Sequence, residues 1–265
     1  MINHEKDYLD IMHSILAHGD LRKGRNGYTK SMPFQTLTFN CLSFDRLPLL
    51  TSRKMYPKGI LGEYAAMIRS PKHVDDFKKW GCNYWNLWAE EDGSLELDYG
   101  NSWFNYNGIN QLEDIVNRIN QDYTDRRLLM NAWRPDRLSK LSLACCHYSY
   151  QFWSDGFNLS LLWNQRSADW CVGVPSDMIT ASLLLKTVAN LTHQQPGMVK
   201  MVFGDAHIYK EHFRDAKHQT KQIVNITEPP LFSMKIRDDL YSFEPTDISI
   251  KDYNPEPPIK YELKG

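Results

Sequence analysis

The sequence predicts an α+β fold on three observations. Apolar residues recur at helical spacing in several segments. Other segments are typical of strands, and in one of them apolar residues alternate with other residues. An Asp-Gly pair separates two strand-like segments, as it does in antiparallel hairpins. Helices interspersed with hairpin-linked strands belong to the α+β class.

Three helices are predicted from apolar spacing. The first covers residues 60–69 and ends before Pro71, because proline cannot continue a helix. The second lies near residues 112–119. The third begins after Pro175 and is too apolar all round for a surface helix. We therefore expect the side chains of this third helix to be buried, namely Met178, Ala181, Leu184, Leu185, Val188 and Leu191.

Strands are predicted over residues 128–133, 148–153 and 157–163. Asp155-Gly156 lies between the last two and predicts the hairpin that joins them. The proline-rich segment at residues 254–258 lacks the backbone donors that a helix requires, so we expect it to be extended.

Length and composition predict one globular domain over residues 1–265. Of the 265 residues, 42% are hydrophobic and 24% are charged, which allows a sizeable core. The formal net charge is −1, whereas binding to nucleic acid or to an anionic membrane requires a basic surface. We therefore expect neither partner.

Targeting signals and cysteine spacing predict the compartment. The chain contains no run of about 18 apolar residues, and its start, MINHEKDYLD, does not resemble a signal peptide. Its five cysteines are odd in number and lack the paired spacing of zinc sites. We therefore expect a reduced cytoplasmic protein without a metal site.

Cys146 and His147 are adjacent next to a predicted strand, where neighbouring side chains point to opposite faces. A thiol and an imidazole in this arrangement cannot act directly as nucleophile and base, which disfavours a cysteine protease. A strand cysteine is usually a small buried hydrophobe. Position alone therefore gives Cys146 no chemical role.

Two segments carry cations that could bind an anion. Arg166, Ser167 and Asp169 follow a predicted strand, and guanidinium and hydroxyl donors suit an anionic ligand, although such a segment is more often a polar loop. Arg126 and Arg127 precede a strand and point to opposite sides, so at most one of them can serve a single nearby site. Surface charge is the simpler interpretation of this pair.

Ser176 and Asp177 follow Pro175 at the start of the predicted buried helix. Either side chain is an ordinary N-cap, because its oxygen can accept from the first free backbone N–H groups. Without further information, capping is the expected role of both.

These pieces occur in an order that closely resembles the thymidylate synthase family. The matching segments are Trp85-Asn86-Leu87-Trp88-Ala89, Tyr99-Gly100, Asp125-Arg126-Arg127, Leu143-Ala144-Cys145-Cys146-His147, Gln151-Phe152, Gln165-Arg166-Ser167-Ala168-Asp169, Val172-Gly173-Val174-Pro175, Gly204-Asp205-Ala206-His207-Ile208-Tyr209 and Asp252-Tyr253-Asn254-Pro255. The resemblance implies an α+β fold with a large twisted mixed sheet, packed back to back with a second copy in a homodimer. It also implies that Arg126 and Arg127 reach the phosphate site of the partner subunit.

The resemblance further implies the roles of residues spread along the chain. Those at the nucleotide are the nucleophile Cys146, the phosphate ligands Arg25, Arg166 and Ser167, the sugar contacts His207 and Tyr209, the proton-shuttling Glu63, and its supporting residues Tyr99 and His147. Those at the folate site are Trp85, Trp88 and Asp169. The implied cofactor is 5,10-methylenetetrahydrofolate.

This set of residues agrees with the chemistry of a pyrimidine ring. C5 is a poor nucleophile until a thiolate adds at C6, and Cys146 would supply that thiolate, favoured by the nearby Arg166. The activated C5 then attacks the methylene carbon of the folate. Loss of the C5 proton and of the folate leaves an electrophilic exocyclic methylene group, and the next addition decides the product.

Asp177 departs from the methylating enzymes of the family, which have asparagine there to read uracil. A carboxyl group that shares one proton with N3 suits cytosine, whereas uracil would place O4 against a carboxylate. A mismatched polar pattern in a buried site costs roughly a few kcal/mol. Deoxycytidylate hydroxymethylases of the family share this substitution, so we expect a dCMP substrate and a base-reading role for Asp177.

The end of the chain is a second departure. Methylating members close their folate site with a short apolar tail, whereas residues 261–265 here are Tyr-Glu-Leu-Lys-Gly. A polar tail should admit water, which predicts 5-hydroxymethyl-dCMP and tetrahydrofolate as products. His147 and Trp85 keep the form of the methylating enzymes, so hydride addition to give 5-methyl-dCMP is the alternative.

Two further alternatives remain open at this point. His207 and Tyr209 would contact a hydroxyl group that ribose and deoxyribose share, so a CMP hydroxymethylase is conceivable. A non-catalytic nucleotide-binding relative could use the same contacts, although Cys146, Glu63 and Tyr99 argue against it. The resemblance implies that a modified cytosine nucleotide would suit either a nucleoside-antibiotic pathway or DNA modification by a virus. We favour the virus, in which case the host cytoplasm is the compartment.

Overall fold

One large sheet organises the computed structural model, which describes residues 4–41, 44–222, 224, 230–235 and 237–265. Its strands are β1 (Asp20–Gly24), β2 (Gly27–Asn40), β3 (Leu129–Asn131), β4 (His147–Ser154), β5 (Asn158–Gln165), β6 (Ala168–Asp169) and β7 (Gln195–Tyr209). Their order is β1-β2-β7-β5-β4-β3, and β6 pairs with β7. Two further strands, β8 (Leu231–Met234) and β9 (Ile248–Lys251), form a separate antiparallel pair.

Helices fill the connections between these strands. They are α1 (His4–His18), α2 (Pro57–Met67), α3 (Val74–Lys78), α4 (Tyr99–Phe104), α5 (Gln111–Gln121), α6 (Gly173–Leu191) and α7 (Phe213–Gln219), with 3-10 helices at Tyr84–Trp88, Lys210–His212 and Pro245–Asp247. Within the described segments, every helix is too short or too polar to cross a bilayer. The α+β prediction is confirmed, and the sheet is mixed because β5 and β6 run parallel to β7 while the other neighbours are antiparallel.

The parallel pairing of β5 with β7 requires a crossover connection, and α6 lies within it. The predicted burial of this helix is confirmed for Met178, Leu184 and Leu185, which are fully inaccessible to solvent, whereas Leu191 at its last position is only half-buried. The helix begins at Gly173, two residues before Pro175. Proline fits there, because backbone N–H groups in the first turn have no partner within the helix.

The other predicted helices are also found, with shifted bounds. The helix predicted over residues 60–69 is α2, which begins three residues earlier because Pro57 occupies the first helical position. The helix predicted near residues 112–119 is α5, whose N-cap Asn110 accepts a hydrogen bond from the backbone N–H of Glu113.

The predicted hairpin is confirmed as β4 and β5. Oδ1 of Asp155 accepts from the backbone N–H of Phe157 at 2.8 Å, and Gly156 has a φ of 91°, which favours glycine. The strand predicted over residues 128–133 is shorter, because β3 pairs only through Leu129–Asn131 at the sheet edge. Residues 253–265 contain neither helix nor strand.

The two faces of the sheet differ. One face carries the core, which includes Tyr150, Trp163 and Met201, and it is covered by α1 and α6. On the other face, Trp153 is 62% exposed and the neighbouring Leu162 and Val202 are half-buried. No element in the described ranges covers this second face.

Candidate active site

A cavity of about 790 Å³ lies at the end of the sheet where β5 ends and β4 begins. The candidate residues that line it are Arg25, Glu63, Trp85, Trp88, Tyr99, Cys146, His147, Arg166, Ser167, Asp169, Asp177, His207 and Tyr209. Antiparallel pairing of His147 with Gln165 brings the start of β4 beside the segment that follows β5. The fold therefore collects groups that lie far apart in the sequence.

Two glycines allow the elements around Glu63 to approach closely. A Cβ at Gly62 would collide with the carbonyl oxygen of Trp80, and a Cβ at Gly100 would collide with that of Met67. Only glycine fits such contacts. Because of them, α2 and α4 bring Glu63 and Tyr99 to the same cavity.

Cys146 is half-buried at the start of β4, and its neighbour Cys145 is buried. The backbone N–H of Cys146 donates to the Tyr99 hydroxyl at 2.9 Å, and its carbonyl accepts from the backbone N–H of Arg166 at 2.8 Å. Burial raises the pKa of the Cys146 thiol, while a hydrogen bond from Tyr99 and the charge of Arg166 oppose that rise. Arg166 therefore acts in the direction that favours a thiolate, but it does not outweigh burial.

Backbone carbonyls fix the Arg166 guanidinium beside the cysteine. Nε donates to the Cys145 oxygen at 2.7 Å, Nη2 donates to the Ala144 oxygen at 2.9 Å, and the group lies 5.3 Å from the centre of the Trp133 ring. No carboxylate of the described residues forms an ion pair with it. A pinned guanidinium with unused N–H donors can bind a carboxylate or phosphate group.

Arg25 lies in the turn between β1 and β2, and Ser167 lies in the segment after β5. Both line the same cavity as Arg166. The Arg25 guanidinium is exposed and contacts Asn26 Oδ1 at 3.2 Å. Arg25, Arg166 and Ser167 therefore contribute two guanidinium groups and a hydroxyl group to the cavity lining, which is a suitable set of donors for a phosphate monoester.

His207 and Tyr209 lie on β7 with Asp205, and alternate residues of a strand share a face. Asp205 Oδ1 accepts from Ser31 Oγ at 2.8 Å and lies 3.2 Å from His207 Nδ1. Hydrogen bonding to His207 is the main cause that lowers the pKa of Asp205. The alternation in Asp205-Ala206-His207 could have indicated this orienting role, which the sequence analysis missed.

Glu63 is held by the indole of Trp85, whose Nε1 donates to Oε1 at 2.8 Å. The Trp85 ring stacks on Phe77 at 4.9 Å and meets Tyr99 edge-on at 5.9 Å. Burial raises the pKa of Glu63 to about 7, although the nearby Tyr84 hydroxyl and the hydrogen bond from Trp85 oppose the rise. Such a carboxyl group can both accept and donate a proton near neutral pH.

His147 is buried, and its ring makes no hydrogen bond with the Cys146 thiol among the described residues. Nδ1 lies 2.6 Å from the Tyr150 hydroxyl, and the ring packs 4.6 Å from that of Tyr99 and 4.4 Å from that of Trp163. Burial lowers the pKa of His147 to about 3, so the imidazole is neutral. The geometry agrees with the sequence argument that Cys146 and His147 do not form a thiol–base pair.

Asp177 lies in the first turns of α6 and does not cap the helix. The N-cap is Val172, no side chain caps it, and Ser176 Oγ donates back to the Val172 carbonyl at 3.3 Å. The expectation of capping by Ser176 or Asp177 is therefore wrong, because the helix begins before Pro175.

The Asp177 carboxyl is oriented by Gln165 instead. Gln165 Nε2 donates to Asp177 Oδ2 at 2.8 Å, and Gln165 Oε1 accepts from Trp163 Nε1 at 3.3 Å. Burial raises the pKa of Asp177 to about 8, with the Gln165 hydrogen bond opposing the rise. At neutral pH the carboxyl group is therefore largely protonated, and it can donate one hydrogen bond while accepting another. Sequence reasoning gave Gln165 no role, because only the fold reveals this contact.

Asp169 precedes α6 and lines the cavity. Its Oδ1 accepts from the backbone N–H groups of Cys171 at 2.9 Å and Val172 at 3.2 Å, and Oδ2 accepts no hydrogen bond from a described residue. The Trp88 ring lies 5.3 Å from that of Trp85, and its buried Nε1 has no described partner. These groups can provide hydrogen bonds and an aromatic surface to a flat heterocyclic ligand.

Asp169 also lies near two possible metal ligands, Cys171 and His212. The ligand atoms of the three residues lie within 4.8 Å of one another. The expected lack of a metal site remains a prediction.

Arg126 and Arg127 do not line the cavity of their own chain. Both side chains are exposed, and Nε of Arg127 pairs with Oδ1 of Asp125 at 2.9 Å. The implied role of the two arginines in a partner subunit is compatible with their exposure but remains a prediction.

The end of the described chain reaches the cavity, which Leu263, Lys264 and Gly265 line. Tyr261 anchors this segment, because its hydroxyl donates to Gln219 Oε1 at 2.8 Å and its ring packs 5.0 Å from the Arg53 guanidinium. The polar residues at this end of the chain, Lys264 among them, therefore form part of the cavity lining.

Comparison with known protein families shows a match over nearly all of the chain. The family model described as "Thymidylate synthase" matches residues 6–264.

Proposed function

Since the chain belongs to the thymidylate synthase family, whose members transfer one carbon to pyrimidine nucleotides, we propose that it is a deoxycytidylate 5-hydroxymethyltransferase. The observation that carries this proposal is the Asp177 carboxyl group, which Gln165 orients in the same cavity as Cys146. Residues 1–265 act as a single catalytic domain. The enzyme uses 5,10-methylenetetrahydrofolate, dCMP and water.

Phosphate and sugar contacts orient the nucleotide. Arg166 binds the phosphate with the N–H groups that the carbonyls of Ala144 and Cys145 leave unused, and Arg25 and Ser167 complete the site. His207, oriented by Asp205, binds the sugar hydroxyl together with Tyr209. These contacts direct C6 of the base toward Cys146.

Asp177 selects cytosine. Because Gln165 donates to Oδ2, that oxygen is an acceptor and the proton lies on Oδ1. Oδ1 donates to cytosine N3, and Oδ2 accepts from the N4 amino group. Uracil presents a donor at N3 and an acceptor at O4, so both groups would be mismatched in this pose.

Trp85, Trp88 and Asp169 fit the folate that the family uses. The buried Trp88 Nε1 and the second oxygen of Asp169 lack partners among the described residues, and Trp85 and Trp88 offer ring faces. When bound, 5,10-methylenetetrahydrofolate supplies the one-carbon unit. Cys146 adds to C6, and Glu63, whose pKa is about 7, moves protons at the base.

The final addition separates the proposed reaction from its main alternative. The charged pair of Lys264 Nζ and Glu262 Oε2, 2.9 Å apart, belongs to the tail that reaches the cavity and supports access of water. Reductive methylation of dCMP is the second candidate, and it is favoured by the buried Trp85, which is 4% exposed and shields the space beside Glu63.

A homodimer completes the proposed site. The uncovered sheet face with Trp153, Leu162 and Val202 can pack against the same face of a second copy. The exposed Arg126 and Arg127 would then extend into the phosphate site of the partner subunit.

The test is the mass of the nucleotide formed with 5,10-methylenetetrahydrofolate from dCMP and, in parallel, from dUMP. We expect a hydroxymethyl increment on dCMP, and Asp177→Asn should reverse the substrate preference by about a hundredfold or more. A methyl increment on dCMP would support the second candidate. Turnover of dUMP alone by the wild-type protein would refute the cytosine-reading role of Asp177.

A further inference from the structure

Tyr84 contributes a hydroxyl group to the active-site cavity that the roles described above do not use. The residue begins the 3-10 helix Tyr84–Trp88 and lines the same cavity as Glu63. Its hydroxyl is buried and makes no well-formed hydrogen bond with a described residue. Leaving such a group unsatisfied is unfavourable, because it loses its hydrogen bonds to water. A buried polar group of this kind is normally paired with a water molecule or a ligand.

Helix geometry places the Tyr84 ring beside Glu63. Gly59 and Glu63 are four residues apart in α2 and therefore share a face of that helix. A Cβ at Gly59 would lie only 3.5 Å from Cε1 of Tyr84, so the ring lies against this face. The hydroxyl is close enough to the Glu63 carboxyl to lower its pKa against the effect of burial.

Glu63 also has hydrogen-bonding capacity to spare. Trp85 donates to Oε1, whereas Oε2 accepts no well-formed hydrogen bond from a described residue. A buried water molecule requires about two to four polar partners. A water between Glu63 and Tyr84 would donate to Oε2, accept from the phenol, and keep a lone pair directed at the cavity.

We infer that Tyr84 and Glu63 together hold the water molecule that adds to the exocyclic methylene group of the nucleotide. This inference rests on the proposed function, since only a hydroxymethylase requires that water. The Tyr84 hydroxyl fixes the oxygen, and the Glu63 carboxylate takes the proton.

The step balances without another reactant. The water oxygen forms a bond to the methylene carbon, and one water proton moves to Glu63. The electron pair of the exocyclic double bond enters the ring, restores the C5–C6 double bond and expels the Cys146 thiolate from C6. The result is 5-hydroxymethyl-dCMP, and the glutamic acid returns its proton to solvent.

The experiment compares wild type with Tyr84→Phe, using dCMP labelled with tritium at C5. Tritium release reports the steps before water addition, and product mass reports how each turnover ends. We expect the rate of hydroxymethyl-dCMP formation to fall about tenfold relative to tritium release, as for the loss of one hydrogen bond in the transition state. Methyl-dCMP or a stalled covalent adduct with Cys146 should account for the difference.

Tyr106→Phe is the matched control, because its hydroxyl contacts the Trp133 carbonyl at 3.4 Å outside the cavity. Tyr84→Leu is a second variant that removes the hydroxyl and keeps an apolar group over Gly59, in case Tyr84→Phe does not fold. An unchanged ratio of hydroxymethyl-dCMP to tritium release in a folded variant would overturn the inference alone. A wild-type enzyme that makes no hydroxymethyl-dCMP would overturn both this inference and the proposed function.

Discussion

Two carboxyl groups in the cavity have pKa values raised by burial, to about 7 for Glu63 and to about 8 for Asp177. Each is oriented by a neutral donor, the Trp85 indole or the Gln165 amide, and not by a cation. A neutral donor fixes the direction of a carboxyl group without forcing its ionisation. At the residue scale, therefore, the site maintains two proton-carrying acids near neutral pH.

This arrangement should make stability depend on pH. In the unfolded chain both groups ionise near pH 4, whereas in the folded protein they keep their protons to about pH 7 and 8. The unfolded state therefore binds fewer protons over this window, and stability falls as pH rises through it. As pH rises from 5 to 8.5, the free energy of unfolding of Asp177→Asn should increase by roughly 1 kcal/mol or more relative to that of wild type. Urea unfolding at several pH values measures this.

Asp92→Asn is the control for that measurement. Hydrogen bonding by Ser94 lowers the pKa of Asp92, so this exposed group is ionised in both states throughout the window. Its substitution should leave the pH slope unchanged. Equal slopes for wild type and Asp177→Asn would mean that Asp177 is ionised in the folded protein.

Individual elements differ in how far the sequence predicted them. Local signals predicted α6 and the β4–β5 hairpin, because apolar spacing and Asp155-Gly156 each act within a few residues. The long strands β2 and β7 were missed, since their pairing joins segments more than 150 residues apart and Pro33 and Pro196 interrupt the strand pattern. The helical spacing of Tyr8, Met12 and Ile15 could have revealed α1.

The site was predictable in its residue types but not in its side-chain contacts. The resemblance supplied Cys146, Arg166 and Asp177, whose segments carry distinctive motifs. No local pattern predicts that Gln165 donates to Asp177 or that Tyr84 reaches Glu63, because these contacts depend on how β5, α2 and α6 pack.

The burial of α6 predicts how far a substitution in the core lowers the free energy of unfolding. Leu184 is fully inaccessible, so Leu184→Ala should lower the free energy of unfolding by about 2–5 kcal/mol through lost burial and a residual cavity. Leu21→Ala on β1, where the side chain is 63% exposed, should change it by less than about 0.5 kcal/mol. Urea denaturation of both variants is the measurement. Similar losses in both would contradict the observed burial.

At the scale of the whole molecule, the proposed dimer explains two features together. One sheet face lacks a cover among the described elements, and Arg126 and Arg127 are exposed outside their own cavity. Packing two such faces back to back would bury the uncovered sheet face. It would also bring Arg126 and Arg127 to the phosphate in the partner subunit. A single subunit would then lack part of its phosphate site.

Mixing of two inactive variants tests this arrangement. Cys146→Ala removes the nucleophile, and Arg126→Ala with Arg127→Ala removes the contribution to the partner. After dissociation and reassociation, a mixed dimer has one intact site, so about a quarter of wild-type activity should return. Sedimentation should confirm that dimers have formed. Mixed dimers without activity would show that the arginines serve their own subunit.

The crossover that contains α6 also has a kinetic consequence. Gln165 ends β5 and Asp177 lies on the helix that leads toward β7, so their hydrogen bond forms only when α6 has packed against β5. Under the proposed base-reading role of Asp177, a nascent chain therefore becomes able to distinguish one base from another only after α6 has packed against β5.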